Sequence, residues 1–306
     1  MFNLDLSKTN WCGTSPHLPP RPRPFIMPHI QGQSQSQSTL KPSRVKLIQH
    51  LKKDIPADQL KTVPPGTPIP RTFSSAAGSG SGSAQSLKQY PCSSQKPTPA
   101  AITGCTSKAA LQVGLGSTIP RWNPGQTINY AVLERGYPQP EQEHAALAAA
   151  KLQEAADEWN KCKVGVQFNW VEDLEDAVFV LMPARQRIPG VLAEAFFPND
   201  LDLNNLNVYP YAFERGTVEY LKNIFLHELG HVLGLRHEFA PELEADERSV
   251  QVGPRDATSV MSYEFPPEIQ ASDIESTRVF YRFVGKQLGV QQHDVPLRIV
   301  NFDANN

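Results

Sequence analysis

Apolar residues recur at helical intervals in two stretches of the chain. The first, residues 138–162, is rich in alanine and predicts a long helix whose apolar face packs behind a sheet. The second predicts an amphipathic helix that begins near Thr217. The apolar positions of this second helix are three or four residues apart in most cases: Val218, Leu221, Ile224, Phe225, Leu229, Val232 and Leu233.

Short runs rich in β-branched and aromatic residues predict strands around these helices. The clearest runs are residues 127–133, 164–170 and 177–182, with a shorter one at 208–211. Residues 199–207 are rich in Asn and Asp and are interpreted as a loop. The order strand, long helix, strand, strand indicates an α+β domain in which the helix covers one face of a mixed, twisted sheet.

The second helix carries the residues with the most specific chemistry. His227 and His231 are four residues apart, so their imidazoles lie one turn apart on one face and can bind one zinc ion together. Glu228 points past the metal, where a carboxylate can take a proton from water. Gly234 permits the left-handed turn that ends a helix and brings up His237 as a third ligand. Three protein ligands leave one zinc position open, which is the catalytic arrangement.

The run from His227 to His237 resembles the extended zinc signature of the metzincin metallopeptidases, HExxHxxGxxH, at every specified position. Ser259-Val260-Met261-Ser262-Tyr263 resembles the methionine-bearing turn of the same clan. The resemblance implies a zincin-like fold over residues 107–285, in which a mixed twisted sheet and two long helices are followed by a smaller C-terminal lobe. It also implies one catalytic Zn²⁺ and hydrolysis of internal peptide bonds in a protein or peptide substrate.

The resemblance assigns roles to further residues around the zinc. Glu228 is expected to be the general base, and Met261 to form an apolar floor beneath the histidines without binding zinc. Tyr263 matches the tyrosine of astacins and serralysins that helps to stabilise the tetrahedral intermediate; a buried tyrosine bonded only to backbone is the alternative. Glu238 resembles the glutamate that follows the third ligand in astacins, with a surface carboxylate at the helix end as the alternative.

Residues 190–198 resemble the matrixin strand that borders the active-site cleft, to which an extended substrate adds as a further strand. A plain edge strand is an equally supported interpretation. The candidate substrate-edge residues are Leu192, Ala193, Glu194, Ala195 and Phe196. Because Glu194 stands where matrixins have a histidine for a structural zinc, the second zinc of that family is in doubt. These mixed features indicate the clan and no single subfamily.

The Asn- and Asp-rich segment 199–207 is also a candidate calcium site, because related loops bind calcium in matrixins. Calcium takes oxygen ligands from several spaced side chains and carbonyls. The segment has no defined ligand pattern of that kind, so a solvated loop is the preferred interpretation.

The first third of the chain differs in composition from the rest. Residues 1–106 hold 12 of the 29 Lys and Arg residues but only 3 of the 31 Asp and Glu residues. They are rich in Pro, Ser, Gln and Gly, and such a segment cannot bury enough apolar surface to offset its ordering entropy. We expect a basic, mostly disordered region there, which is a candidate pro-segment. Residues 107–285 form the predicted catalytic domain, and residues 286–306 are expected to be a frayed C-terminal tail.

Partners and location are less constrained by the sequence. Pro16, Pro19 and Arg21 fit a proline-rich ligand of an SH3-type domain. No stretch approaches the ~20 apolar residues of a transmembrane helix, and the basic region lacks a nucleic-acid-binding motif. The resemblance implies an extracellular protein, but the N-terminal residues lack a signal-peptide pattern, which leaves an intracellular location open. The alternative to a peptidase is a catalytically silent zinc-binding scaffold whose Pro-rich tail recruits partners.

Overall fold

The computed structural model describes residues 60–69, 112–115, 117–201, 203–238, 249–288 and 297–304. All of them lie within one compact unit that spans residues 41–306. The described helices are α1 (Glu141–Cys162), α2 (Leu221–Val232) and α3 (Ala271–Arg282). The described strands are β1 (Gln112–Val113), β2 (Thr118–Trp122), β3 (Thr127–Val132), β4 (Gln167–Trp170), β5 (Phe179–Pro183), β6 (Ala193–Glu194), β7 (Asn204–Val208), β8 (Leu235–Arg236), β9 (Val250–Gln251), β10 (Gln287–Leu288) and β11 (Leu297–Phe302). The protein therefore belongs to the α+β class, as predicted.

The largest sheet has five strands in the order β4-β3-β5-β7-β6. Its neighbours pair in parallel, except that β6 runs antiparallel to β7 at one edge. Helices α1 and α2 contribute to the main apolar core together with one face of this sheet. The other face buries a smaller cluster that includes Ala131, Val180 and Leu203. The mixed sheet covered by a long helix is thus confirmed.

Three side chains from other elements hold the backbone of α2 in place. Trp159 of α1 donates its indole N–H to the carbonyl of Leu226, in the middle of α2, at 3.0 Å. At the C-terminal end, Trp122 of β2 and Tyr281 of α3 donate to the carbonyls of residues 232 and 233 at 2.7 and 3.0 Å. Because the last carbonyls of a helix lack partners within it, these bonds replace a cap. Helix α2 is therefore held by side chains from α1, β2 and α3.

The helix and three strands predicted from periodicity are confirmed with shifted ends. The alanine-rich helix begins at Glu141 and ends at Cys162, and its buried alanines allow close packing against α2. The strand runs shorten to β3, β4 and β5, as sheet ends give way to turns. The second predicted helix, α2, has 12 residues against 22 in α1. Of the two long helices expected, α2 is therefore the shorter.

The Asn-rich segment is a strand, so the prediction of a loop over residues 199–207 is wrong in its second half. β7 (Asn204–Val208) lies between β5 and β6. Asn204, Leu206 and Val208 face inward and are buried, and the Asn204 amide oxygen accepts a hydrogen bond from Asn199 at 2.8 Å. The alternating pattern of a strand places an apolar residue at each inward position. Position 204 instead has a buried Asn whose hydrogen bonds are made within the fold, so the pattern did not indicate a strand. The strand predicted at 208–211 is wrong after Val208, because Val208 ends β7 and residues Pro210–Phe213 form a 3₁₀ turn.

The frayed tail expected after Lys286 is also wrong for the residues described there. β11 (Leu297–Phe302) pairs in parallel with β2 through its residues 298–302, and β10 pairs with β11 on the other side. Leu297 and Ala304 are each only 2% exposed. Because its partner strand is so distant in sequence, the residues around β11 carry no pattern that would predict this parallel pairing.

Residues 60–69 pack against the sheet although they belong to the region predicted to be disordered. Thr62 forms a β-bridge with Leu133, and the Val63 N–H donates to the Val132 carbonyl at 2.9 Å. Val63 is 6% exposed and joins the main apolar core. The expectation of disorder is therefore wrong for this segment. Residues 1–59 and 70–106 lie outside the described residues, and for them it stays a prediction.

We expect Val63→Ala to lower the free energy of unfolding of the full chain by about 1–2 kcal/mol, because a buried apolar side chain loses two methyl groups and leaves a small cavity. Urea denaturation measures this change. Lys61→Ala is the matched control, since the Lys61 side chain is exposed and should leave stability within about 0.5 kcal/mol of wild type. Equal denaturation midpoints for Val63→Ala and Lys61→Ala would mean that this segment is not docked in solution.

Two expectations about partners concern an SH3-type motif and membrane-spanning helices. The SH3-type motif at Pro16, Pro19 and Arg21 lies outside them. Within the described ranges, none of the helices combines the length and the apolar character needed to span a membrane.

Candidate metal centre

Helix α2 places the first two histidines. It begins at Leu221 after one 3₁₀ turn, Val218–Tyr220, close to the start predicted near Thr217. The Thr217 side chain makes no capping hydrogen bond, and its hydroxyl lies 2.6 Å and 2.9 Å from the carbonyl oxygens of Tyr211 and Glu214. His227 and His231 are fully buried, one turn apart, with ring centroids 4.9 Å from each other. The predicted helical spacing of these imidazoles is confirmed.

A glycine turn brings the third histidine to the other two. Gly234 follows α2 with φ +92°, a conformation that residues with a Cβ rarely adopt. A Cβ added there would lie 2.6 Å from the Pro120 carbonyl oxygen, so there is also no room for one. The chain then forms β8, pairs with β1, and reaches His237, which is fully buried.

The imidazoles of His227, His231 and His237 form one buried group. Each offers a ligand nitrogen, and these atoms all lie within 4.8 Å of one another. The Nε2 atoms of His227 and His237 are 3.2 Å apart, close to the ~3.3 Å that separates two nitrogens bound at ~2.05 Å to a tetrahedral zinc ion. Within the described ranges this is the one His, Cys, Asp and Glu group close enough to bind a metal ion. The geometry therefore fits a metal.

The outer ring nitrogens of the two helical ligands are held by backbone carbonyls. His227 Nδ1 lies 2.8 Å from the Val260 carbonyl oxygen, and His231 Nδ1 lies 2.8 Å from that of Leu235. Because a carbonyl only accepts, both Nδ1 atoms carry the hydrogen and both Nε2 atoms present a lone pair. Partners of this kind fix the orientation of ligand rings and make them better donors to a metal.

Burial also keeps His227 neutral. It lowers the pKa of His227 well below its ordinary value, the neighbouring His231 and His237 lower it further, and the hydrogen bond with the Val260 carbonyl opposes this shift. A neutral imidazole is the form that binds metal. Protons therefore compete weakly for this position at neutral pH.

Met261 lies beneath the helix, where the apolar floor was expected. It is fully buried, and its Sδ lies so close to Gly230 that a Cβ could not be fitted at that position. The Met261 carbonyl accepts the Glu238 N–H at 3.1 Å, which ties the turn to the residue after His237. The turn thus contacts both the helix and the chain segment that carry the ligands.

Asp273 fixes this turn from below through its carboxylate. It is the third residue of α3 and forms a reciprocal capping box with Gln270. Its carboxylate accepts the Ser259 hydroxyl at 2.5 Å and the Val260 N–H at 2.8 Å. Since the Val260 carbonyl holds His227, the first ligand is tied to α3 through two hydrogen bonds. The sequence signal was only a carboxylate in a first helical turn.

Glu228 and Tyr263, the two predicted catalytic residues, are both buried at this site. Glu228 is 0% exposed and follows His227 on α2. Tyr263 is 6% exposed, and its hydroxyl lies 3.0 Å from His237 Nδ1. The alternative of a tyrosine bonded only to backbone is therefore wrong.

Glu238 is buried, so the alternative of a surface carboxylate is wrong. It is 1% exposed, and its Oε2 has no hydrogen-bond partner among the described residues. Burial raises the pKa of Glu238 to about 9; a hydrogen bond with Ser259 opposes the shift, and the charges of Asp273 and Asp256 add to it. The folded protein therefore favours the protonated carboxyl.

We expect Glu238→Gln to be as stable as wild type near pH 5 and more stable, by about 1–3 kcal/mol, near pH 9. The folded pKa of Glu238 is raised above the ordinary value of 4.5, so its contribution to stability is full below pH 4.5 and is lost as pH rises towards 9. Glutamine does not titrate. Urea denaturation of both proteins at the two pH values gives the difference, and a difference that does not change with pH would contradict the raised pKa.

The predicted substrate-edge residues lie at the edge of the sheet next to α2. Only Ala193 and Glu194 form the paired part of the strand, antiparallel to β7, and Leu192 accepts one further backbone hydrogen bond. Leu192, Ala193 and Ala195 are buried, whereas Glu194 and Phe196 are partly exposed. The Glu194 carboxylate accepts the Tyr209 hydroxyl at 2.9 Å. The Phe197 ring lies 5.4 Å from that of His231, so this segment continues to the metal centre.

The calcium site expected near residues 199–207 stays a prediction. Asn199 uses its side chain within the fold, donating to the Phe197 carbonyl and to Asn204 and accepting the Leu201 N–H. Asp202 lies outside the described residues.

The chain was compared with protein-family models and with curated proteins, and neither comparison found a match. The feature of the chain that bears on function is therefore the group of three buried histidines that can hold a metal ion.

Proposed function

We propose that this protein is a zinc-dependent metalloendopeptidase of the metzincin type. The observation that carries the proposal is the buried cluster of His227, His231 and His237 with Glu228 buried beside the first ligand. Neutral imidazole nitrogens are preferred ligands of Zn²⁺. Three protein ligands leave a fourth position for water and substrate, as in catalytic zinc sites.

The chemistry follows from the residues around that cluster. When bound, Zn²⁺ supplies Lewis acidity, which acidifies water and polarises a peptide carbonyl. Glu228 accepts the proton of the attacking water and passes it to the leaving amine. The partners of His227 and His231 hold these ligands through the reaction, and burial of the site strengthens each electrostatic interaction in it.

The edge of the sheet supports a peptide substrate. β6 is the last strand of the sheet and its outer edge has no neighbouring strand among the described residues. An extended peptide can add to such an edge through backbone hydrogen bonds. Because the same segment leads to Phe197 beside His231, a peptide on this edge passes near the metal centre.

The architecture supports the metzincin type. A mixed five-stranded sheet with one antiparallel edge strand precedes α2, and a methionine-bearing turn beneath α2 leads to α3. This order agrees with the fold implied by the HExxHxxGxxH resemblance, with the C-terminal part extended by β10 and β11.

The test is the metal content and the peptidase activity of the purified full chain. One zinc per chain by elemental analysis, together with cleavage of casein that stops on chelation and returns with Zn²⁺, supports the proposal. Zinc without cleavage of casein or of a peptide library supports a silent zinc-binding scaffold instead. A chain that does not retain zinc at neutral pH contradicts the metal assignment itself.

A further inference from the structure

The three candidate ligands differ in what holds their outer nitrogen. His227 and His231 each face a backbone carbonyl, whereas His237 Nδ1 faces the Tyr263 hydroxyl at 3.0 Å. A carbonyl oxygen only accepts, but a hydroxyl can donate or accept. The tautomer of the first two histidines is thus set by backbone carbonyls, whereas Nδ1 of His237 faces a side-chain hydroxyl.

Metal binding decides which way the Tyr263 bond runs. His237 Nε2 is the nitrogen that faces the other ligands, because it lies 3.2 Å from His227 Nε2. A metal bound there needs the lone pair of Nε2, so the hydrogen of the imidazole must be on Nδ1. His237 Nδ1–H then donates to the Tyr263 oxygen.

We propose that Tyr263 is the positioning residue of the third metal ligand, and that it acts through His237 rather than on the substrate. The phenol oxygen accepts from Nδ1, selects the metal-binding tautomer and fixes the plane of the ring. The ring centroids are 4.7 Å apart and both side chains are buried, so water cannot readily replace the phenol. This inference rests on the metal-centre part of the proposed function and is independent of peptidase activity.

The experiment is zinc affinity of the full chain, measured by competition with a chromogenic chelator. Tyr263→Phe keeps the ring and removes the hydroxyl oxygen that lies 3.0 Å from Nδ1. Its zinc dissociation constant should rise about 10–100-fold, the usual effect of losing an outer partner of a ligand. Tyr130→Phe is the matched control, because it removes a buried phenol that bonds Gln153 at 2.7 Å, away from the cluster, and should leave zinc affinity unchanged.

Two results would overturn the inference. The first is a zinc dissociation constant for Tyr263→Phe equal to wild type, measured where circular dichroism shows both proteins folded. The second needs no variant: ¹⁵N NMR of the zinc-loaded wild type should show His237 protonated at Nδ1, and protonation at Nε2 would mean that the metal is bound through the nitrogen assigned here to Tyr263. Loss of casein cleavage does not enter either readout, so failure of the peptidase proposal is seen separately.

Discussion

Glu228→Gln is expected to retain one zinc per chain and to lose roughly 10²–10⁴-fold in kcat for peptide cleavage. Glutamine has nearly the shape of glutamate and does not disturb the three imidazoles, so the metal centre should persist. It cannot accept the proton of the attacking water, and that step then loses its base. The measurement pairs elemental analysis with cleavage of a quenched fluorescent peptide.

Glu219→Gln is the control for this variant. Glu219 lies in the 3₁₀ turn just before α2 but is exposed, and it only accepts the Gly216 N–H at 3.0 Å. The Glu219→Gln protein should cleave the peptide at close to the wild-type rate. A Glu228→Gln protein that also did so would end the assignment of Glu228 as base, whereas loss of zinc along with activity would give Glu228 a structural role.

His237→Ala is expected to weaken zinc binding by about a thousandfold. Structural zinc sites gain about 10–16 kcal/mol from their ligands together, so one ligand of three contributes about 4 kcal/mol, which is close to 10³ in affinity. Activity should be lost with the metal and should return in part at high zinc concentration. Competition with a chelator of known affinity gives the dissociation constant.

His144→Gln is the matched histidine control. His144 is also buried, but its Nδ1 lies 2.7 Å from the Pro138 carbonyl and it is not part of the metal group. Its zinc affinity should equal that of wild type, even if the fold is less stable. Equal zinc affinity for His237→Ala and wild type would show that the third ligand is another residue.

The cluster of three histidines could be predicted because its geometry is local. His227 and His231 are brought together by one helical turn, and Gly234 reverses the chain within the next few residues, so no distant contact is needed to place His237. The same holds for α1 and for β3, whose periodicity is visible in short windows. Elements that depend on contacts between residues close together in the sequence are the ones that can be predicted from the sequence alone.

Other parts of the site could not be predicted because they depend on distant partners. The hydrogen-bond partners of Asp273 and Tyr263 could not be predicted from the sequence, since these bonds join residues 13 and 26 positions apart. β7 was not predicted because a polar residue, Asn204, occupies an inward position, where Asn199 and the Val178 carbonyl satisfy its side chain. Residues 60–69 have no apolar periodicity of their own, and they are ordered by a bridge to the end of β3.

The parallel pairing of β2 with β11 makes the order of synthesis matter for the metal centre. Trp122, which holds the end of α2, lies in β2, and β11 is the strand partner of β2 in the described sheets. β11 leaves the ribosome about 175 residues after β2, roughly 9–35 s later at usual rates of translation. For the last ~65 residues of that interval, roughly 3–13 s, α2 is already made while the strand partner of β2 is missing. Metal binding by the histidines of a nascent chain should therefore be weak until β11 has emerged.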